Sequence, residues 1–240
     1  TPAAAAAMYR NVMRVAPAES QWPNTLRQQL LHAREFIARH ARAYEAYLIE
    51  QIAPLGRDLP AASAERWREA ASIMAGRTKP YVSDSNQLGV PRLPAIPFYQ
   101  RSMFPWASAL EASTSAIRDE LESALAKERE GFAPYIAYRP GDPVNQWAEL
   151  NHSNRWSHYS LWRGGAPDEA HLAACPRTRA ALEAVDMASI DGLCPNAMFS
   201  ALAPHTEIPP HTGETNARLV VHLPLIVPPN CTYRVGFEER

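Results

Sequence analysis

Residues 210–228 read PHTGETNARLVVHLPLIVP, and the architecture of the second half of the chain turns on how this stretch is read. If residues 217–227 form an extended segment, alternate side chains face opposite sides. Arg218, Val220 and His222 then share one face, and Leu219, Val221, Leu223 and Leu225 share the other, which is expected to be core. A strand with an apolar back and an Arg/His front resembles the inner wall of a ligand-binding barrel, where polar groups converge on a cavity. His211 precedes this segment in HTGETN, where Gly213 and Asn216 permit tight turns and close backbone approach. On such a loop an imidazole nitrogen can reach a metal. The plainer alternative makes His211 a surface-loop residue and His222 a hydrogen-bonded core histidine.

Outward from this stretch, the chain changes character near Gly131. Before it, residues 24–52 place Leu26, Leu30, Ala33, Phe36, Ile37, Ala41, Tyr44, Tyr47, Leu48 and Ile52 at helical spacing. Residues 66–75 continue the pattern, and Gly76 is expected to cap it. These paired helices match the end of a tetratricopeptide-like array. Prolines at 80, 91, 94 and 97 mark residues 78–100 as a linker or an ordered arm. Helices are predicted again over 102–110 and 115–127.

After Gly131, short extended segments are predicted at 136–138, 147–150, 157–162, 197–202, 217–227 and 232–235, with only 176–185 helical. The fold class is therefore α+β. The expected organisation is a helical region over 1–77, a Pro-rich linker or arm over 78–100, and a β-rich domain over 101–240, most simply a sandwich or barrel. The last strand has no return partner before Arg240, so this β half is expected to be incomplete, and a segment is expected to precede Thr1.

Composition narrows the function classes. With 24 Lys and Arg against 25 Asp and Glu, the net charge of -1 supplies no basic field for nucleic acid and no acidic tail. No apolar run approaches the length of a membrane span. Cys175, Cys194 and Cys231 are odd in number and lack a CxxC spacing, which suits a reducing, cytoplasmic setting. A zinc site would have to recruit His205, His211 and Cys231 without CxxC or HExxH support. Neither GxSxG nor an activated cysteine points to a hydrolase. Trp147 and Trp162 are expected to be core aromatics, His152 and His158 loop residues, and Asn151 and Arg155 alternative substrate-gripping positions.

The 210–228 stretch, together with FSALAPHTEIP before it and WSHYSLWRGG at 156–165, resembles the aspartyl/asparaginyl β-hydroxylase family of iron and 2-oxoglutarate-dependent oxygenases. That resemblance covers roughly residues 94–240. It implies a double-stranded β-helix, or jelly roll, for the β half, with Fe(II) as metal and 2-oxoglutarate as cosubstrate. By the same resemblance His211 is the first iron ligand, and Trp156, Ser200 and His222 contact 2-oxoglutarate. Arg218 matches an arginine that grips the substrate's side-chain carboxylate, a task suited to its bidentate fork. Gly213 stands where many related oxygenases carry a carboxylate ligand, as the family pattern has it, and Val220 stands where better-known members carry an arginine. The family's second iron-binding histidine and main 2-oxoglutarate arginine lie downstream of the matched region, so the chain as given is expected to hold half a metal site and to be inactive alone.

The implied reaction is hydroxylation of the β-carbon of Asp or Asn residues in a peptide or protein, with the metal carrying the chemistry and the protein aiming it. Two other functions compete. One is hydroxylation of a lipid acyl chain or a small molecule on the same fold; the other is a non-catalytic helical-repeat binding protein.

Overall fold

The computed structural model describes residues 1–54, 61–82 and 84–240. They form two compact units, the first comprising residues 1–82 and 234–239 and the second residues 83–233 with Arg240.

The first unit is built on three helices: α1 (Pro2–Val15), α2 (Asn24–Ile52) and α3 (Ala61–Met74). The predicted helix over 24–52 is observed with those bounds. Residues 2–15, for which no helix is predicted, are helical and pack on it, with the Tyr9 ring edge-on to His32 and Phe36 at 5.9 and 5.3 Å. The cause is local. The alanine run has the highest helix propensity, Pro2 occupies the first turn where its missing N–H costs nothing, and the Thr1 hydroxyl accepts from the Ala4 N–H at 3.3 Å. Gly76 adopts φ +75°, and the Arg77 N–H returns to the Ser72 carbonyl, the left-handed cap expected there.

The buried positions of this unit include the small residues Ala6, Ala33, Ala41, Ala71 and Ala75, whereas Leu26, Tyr47, Trp67 and Met74 are exposed. Helical spacing marks which residues share a stripe. It does not mark how much of the stripe a neighbour covers. Arg34 pairs with Glu19, and Arg77 with Glu45, each at 2.6 Å. Strands β5 (Arg234–Val235) and β6 (Glu238–Glu239) pair antiparallel in the same unit.

The second unit packs helices on one face of a small antiparallel sheet. Its helices are α4 (Ala107–Ala112), α5 (Thr114–Lys127), α6 (Glu169–Ala174) and α7 (Pro176–Glu183). Its sheet has β2 (Trp156–Arg163) at the centre, β4 (Ala197–Leu202) along one edge, and β1 (Ala133–Pro134) and β3 (Ala166–Pro167) at the two ends of the other. Gly164 and Gly165 both have positive φ, so the two-residue turn from β2 to β3 is the mirror-image type that matches strand twist.

Tyr159 and Leu161 of β2 and Phe199 of β4 face Ile117, Leu121 and Ala124 of α5, with Leu172 and Cys175 completing the core. A register shift between Ser160 and Trp162 turns Trp162 into the same core, as expected for that residue. Gly131 is obligatory here: a Cβ would lie 2.8 Å from Cε2 of Tyr159. Glu120 of α5 is buried and spans to the start of α7, accepting from the Arg177 N–H (2.9 Å), the Thr178 N–H (2.8 Å) and the Thr178 hydroxyl (2.7 Å). Burial pushes its carboxyl up, but the hydrogen bonds from Thr178 and Arg177 outweigh this and hold it below the usual range.

Several predicted strands are corrected. Residues 147–150 lie in a 3-10 turn at Asn145–Trp147 and the turn that follows, because Asn145 takes positive φ. Ile136 makes one isolated bridge with Asn151 instead of a strand over 136–138. Residues 169–174 form α6, capped by the Asp168 side chain, so 176–185 is not the only helical segment after Gly131. The largest correction concerns residues 217–227, which run without strand pairing. Leu223 and Leu225 pack against the core, and Arg118 Nε holds the Leu225 carbonyl at 2.7 Å, but Leu219 and Val221 are about half exposed and Val220 is 73% exposed. The expected core face is only half realised, since apolar alternation supplies a face and not a pairing partner.

Candidate functional site

The face of β2 and β4 opposite the helices carries Trp156, His158 and Ser200. Antiparallel register sets His158 directly across from Ser200 and Trp156 across from Leu202, so Trp156 reaches Ser200 on the diagonal. Its indole Nε1 donates to Ser200 Oγ at 3.1 Å. The serine oxygen is the acceptor in that bond, which leaves its own O–H to donate elsewhere.

Three aromatic rings build a wall over this face. Strand β1 pairs with β2 and delivers Tyr135, whose N–H donates to the Trp156 carbonyl and whose ring stacks on Trp156 at 4.0 Å and 17°. Trp147 comes in from the 3-10 turn, 6.0 Å from Trp156 and 5.0 Å from His211. His211 closes the group, 6.5 Å from Trp156. Trp147 is therefore a wall residue of this cluster and not the core aromatic expected from sequence.

The tautomer of His211 follows from its partner. Nδ1 lies 2.9 Å from the Pro209 carbonyl, which can only accept, so Nδ1 carries the hydrogen and the neutral ring presents a bare Nε2. A metal-binding histidine is set in this way, with its second nitrogen pinned to a carbonyl. Among the described residues, however, no group of three or more His, Cys, Asp or Glu gathers around a common point. One oriented imidazole is fewer protein ligands than retention of a first-row metal requires, so the described residues do not amount to a complete metal-binding set. The zinc alternative through His205, His211 and Cys231 likewise finds no such cluster.

The loop carrying His211 is anchored by the proline-rich arm. The N–H groups of Gln87 and Leu88 donate to the Glu214 carbonyl, and the Asn86 N–H to that of Gly213. Asn216 closes a two-way bond with the backbone of Val90, both at 2.8 Å. Leu88 bridges the buried Thr215 in parallel. The arm thus supplies a backbone neighbour to residues 213–216.

Arg218 is held on both prongs of its fork. One terminal nitrogen donates to the Leu193 carbonyl at 2.9 Å and the other to Glu214 Oε2 at 2.6 Å, and the side chain is 18% exposed. The charges of this pair act on Tyr135 of the aromatic wall, whose phenol is pushed upward first by burial and then by the Glu214 carboxylate, with Arg218 opposing. Glu214 is a site residue that the sequence reading passed over, since a glutamate in a polar loop carries no signal of its own.

His222 is not brought into the cluster. Its ring partner is Tyr233 at 4.5 Å, and desolvation lowers its pKa. Asn151 and Arg155 serve the scaffold: Asn151 accepts from the Tyr138 N–H at 2.9 Å, and Arg155 donates to the His205 carbonyl at 2.9 Å. His158 was expected in a loop but lies in β2, and its Nδ1 is buried without a hydrogen-bond partner. Cys175 and Cys194 are free and buried, and burial raises the Cys175 thiol to about 11, which keeps it protonated and inert.

The chain is similar to several known hydroxylases. An ornithine lipid ester-linked acyl 2-hydroxylase from Rhizobium tropici is 35% identical over 146 residues, 61% of this chain and 48% of that protein. The aspartyl/asparaginyl beta-hydroxylase of Mus musculus is 31% identical over 134 residues, 55% of this chain and 16% of that protein. Aspartate beta-hydroxylase domain-containing protein 2 of Xenopus tropicalis is 28% identical over 164 residues, 68% of this chain and 42% of that protein. The chain thus aligns with less than half the length of each of these relatives. Residues 111–240, more than half of the chain, match the Aspartyl/Asparaginyl beta-hydroxylase family, and they contain every element of the wall built around Trp156, Ser200 and His211. The chain belongs to the aspartyl/asparaginyl beta-hydroxylase family.

Proposed function

We propose that the protein is an Fe(II)- and 2-oxoglutarate-dependent hydroxylase of a double-stranded β-helix type that acts on the β-carbon of Asp or Asn residues in a peptide or protein. The observation that supports this most is His211 with its Nδ1 pinned to a carbonyl and its Nε2 bare, beside the Trp156–Ser200 pair. In this reading His211 contributes one iron ligand. The Ser200 hydroxyl, already accepting from Trp156, would be free to donate a hydrogen bond to a carboxylate of 2-oxoglutarate. Tyr135, Trp147 and Trp156 exclude water from one side and stiffen the serine. Iron and 2-oxoglutarate together supply the oxidising power for the C–H bond. His222, with its ring against Tyr233, stands outside this cluster and has no part in this reading.

The test is succinate release by the purified full-length protein with Fe(II), ascorbate and 2-oxoglutarate, in the presence of Asp- and Asn-containing peptides. Release that is peptide-dependent and lost in His211→Ala is expected. Peptide-independent release, or none with either peptide, overturns the substrate class. Hydroxylation of a lipid acyl chain is the second reading. It is favoured by the 35% identity to an ornithine lipid acyl 2-hydroxylase and is scored by the same assay with acyl lipid in place of peptide.

A further inference from the structure

The fork of Arg218 already holds a carboxylate. Glu214 Oε2 lies 2.6 Å from one terminal nitrogen, and the Leu193 carbonyl takes the other at 2.9 Å. A substrate carboxylate approaching in bidentate fashion would have to expel Glu214 and would meet its negative charge on the way. The backbone of Glu214 is anchored: the Gln87 and Leu88 N–H groups fix its carbonyl, and Thr215 next to it is buried against Leu88. Its side chain, 44% exposed, springs from that backbone four residues before its partner. The Arg218 side chain is 18% exposed, and Tyr135 senses both charges.

We propose that Glu214 is a resident carboxylate in the Arg218 fork that sets the site to take a neutral reacting side chain, asparagine in preference to aspartate. With Arg218 neutralised, an incoming amide meets no uncompensated charge. Its carbonyl can accept from guanidinium N–H groups that the two existing bonds leave over, and its NH2 can donate to Glu214. An aspartate offers only acceptors and finds a second anion in its place. The inference deepens the peptide reading above and rests on it for the identity of the substrate, but not for the state of the fork.

Two measurements separate these. In protein labelled at arginine nitrogens, the Arg218 Nε resonance is assigned by its loss in Arg218→Lys and followed during titration with acetate. The wild type is expected to be unresponsive, and Glu214→Gln and Glu214→Ala to respond saturably. A wild type that responds as strongly as the variants, or variants that do not respond, overturns the proposal. In the second measurement, matched Asn and Asp peptides are titrated against indole fluorescence. A preference for Asn of about tenfold or more in the wild type, the effect of one charge-assisted hydrogen bond gained or lost, is expected to vanish in Glu214→Gln. An unchanged preference overturns the proposal. If neither peptide binds while the acetate result holds, the peptide reading fails and the assignment of Glu214 stands.

Discussion

Two stretches of the second unit, both expected from sequence to be strands, have opposite fates. Residues 156–163 form the central strand, with Tyr159 and Leu161 fully buried beneath α5. Residues 217–227 carry seven branched aliphatics against the single Leu161 of the first stretch, yet Val220, Val221, Ile226 and Val227 are each more than half exposed. What separates them is backbone pairing. The first stretch has β4 along its length and β1 and β3 at its other edge, whereas the second is held by Arg118 on one carbonyl and by two leucines against the core. Hydrophobic alternation is a statement about faces, and burial needs a neighbour for both the side chains and the N–H and C=O groups.

Truncation breaks this comparison most severely. Leu161→Ala removes a fully buried side chain from the sheet and is expected to cost about 2–5 kcal/mol in chemical denaturation, while Val220→Ala stays within about 0.5 kcal/mol. Similar losses for the two would mean that 217–227 is buried in solution. Gly131→Ala attacks the same core from the opposite direction. Its Cβ, 2.8 Å from a fully buried tyrosine ring, is expected to destabilise by about 1–3 kcal/mol by overpacking, read from the same denaturation midpoints.

Glu120 ties α5 to α7 beneath the paired strand, whereas Arg118 of the same helix holds only one carbonyl of the unpaired segment. Glu120→Gln leaves donors facing an amide and is expected to cost about 1–3 kcal/mol near neutral pH. The sign of the pH dependence follows from the lowered pKa. The contribution is fully present above the unfolded carboxyl's ordinary value and is lost as pH falls through the folded one. The gap between wild type and variant should therefore close below about pH 4, and a gap that widens in acid would contradict the assignment. A smaller effect than at these core positions is expected at the site face. Trp156→Phe keeps the ring stack with Tyr135 but leaves Ser200 without its donor, for about 1 kcal/mol, and under the proposed function it also lowers 2-oxoglutarate affinity. A stability loss without an affinity change would make the pair structural only.

Much of this was legible in the chain itself. The helix over 24–52 and the strands at 156–163 and 197–202 announce themselves because their partners lie on a single, strongly patterned face. The α1 helix did not, since an alanine run has propensity without a stripe, and neither did α6, whose six residues are too few to show a period. At the site, HTG and the WSHYSLW segment pointed to His211, Trp156 and Ser200, which the fold does assemble. Tyr135 and Trp147 were hidden because aromatic side chains look alike in sequence whether they fill a core or line a wall.

Sequence alone determined the local elements and the chemical inventory of the site, because propensity, capping and residue type act within a turn or two of the chain. Tertiary structure alone decided that residues 217–227 lie unpaired and that the 84–90 arm clamps the histidine loop. It also decided that His222 turns to Tyr233 and that Arg218 spends its fork on Glu214. Those outcomes depend on which distant backbone groups and charges arrive at each position, and such long-range pairings are not encoded in spacing.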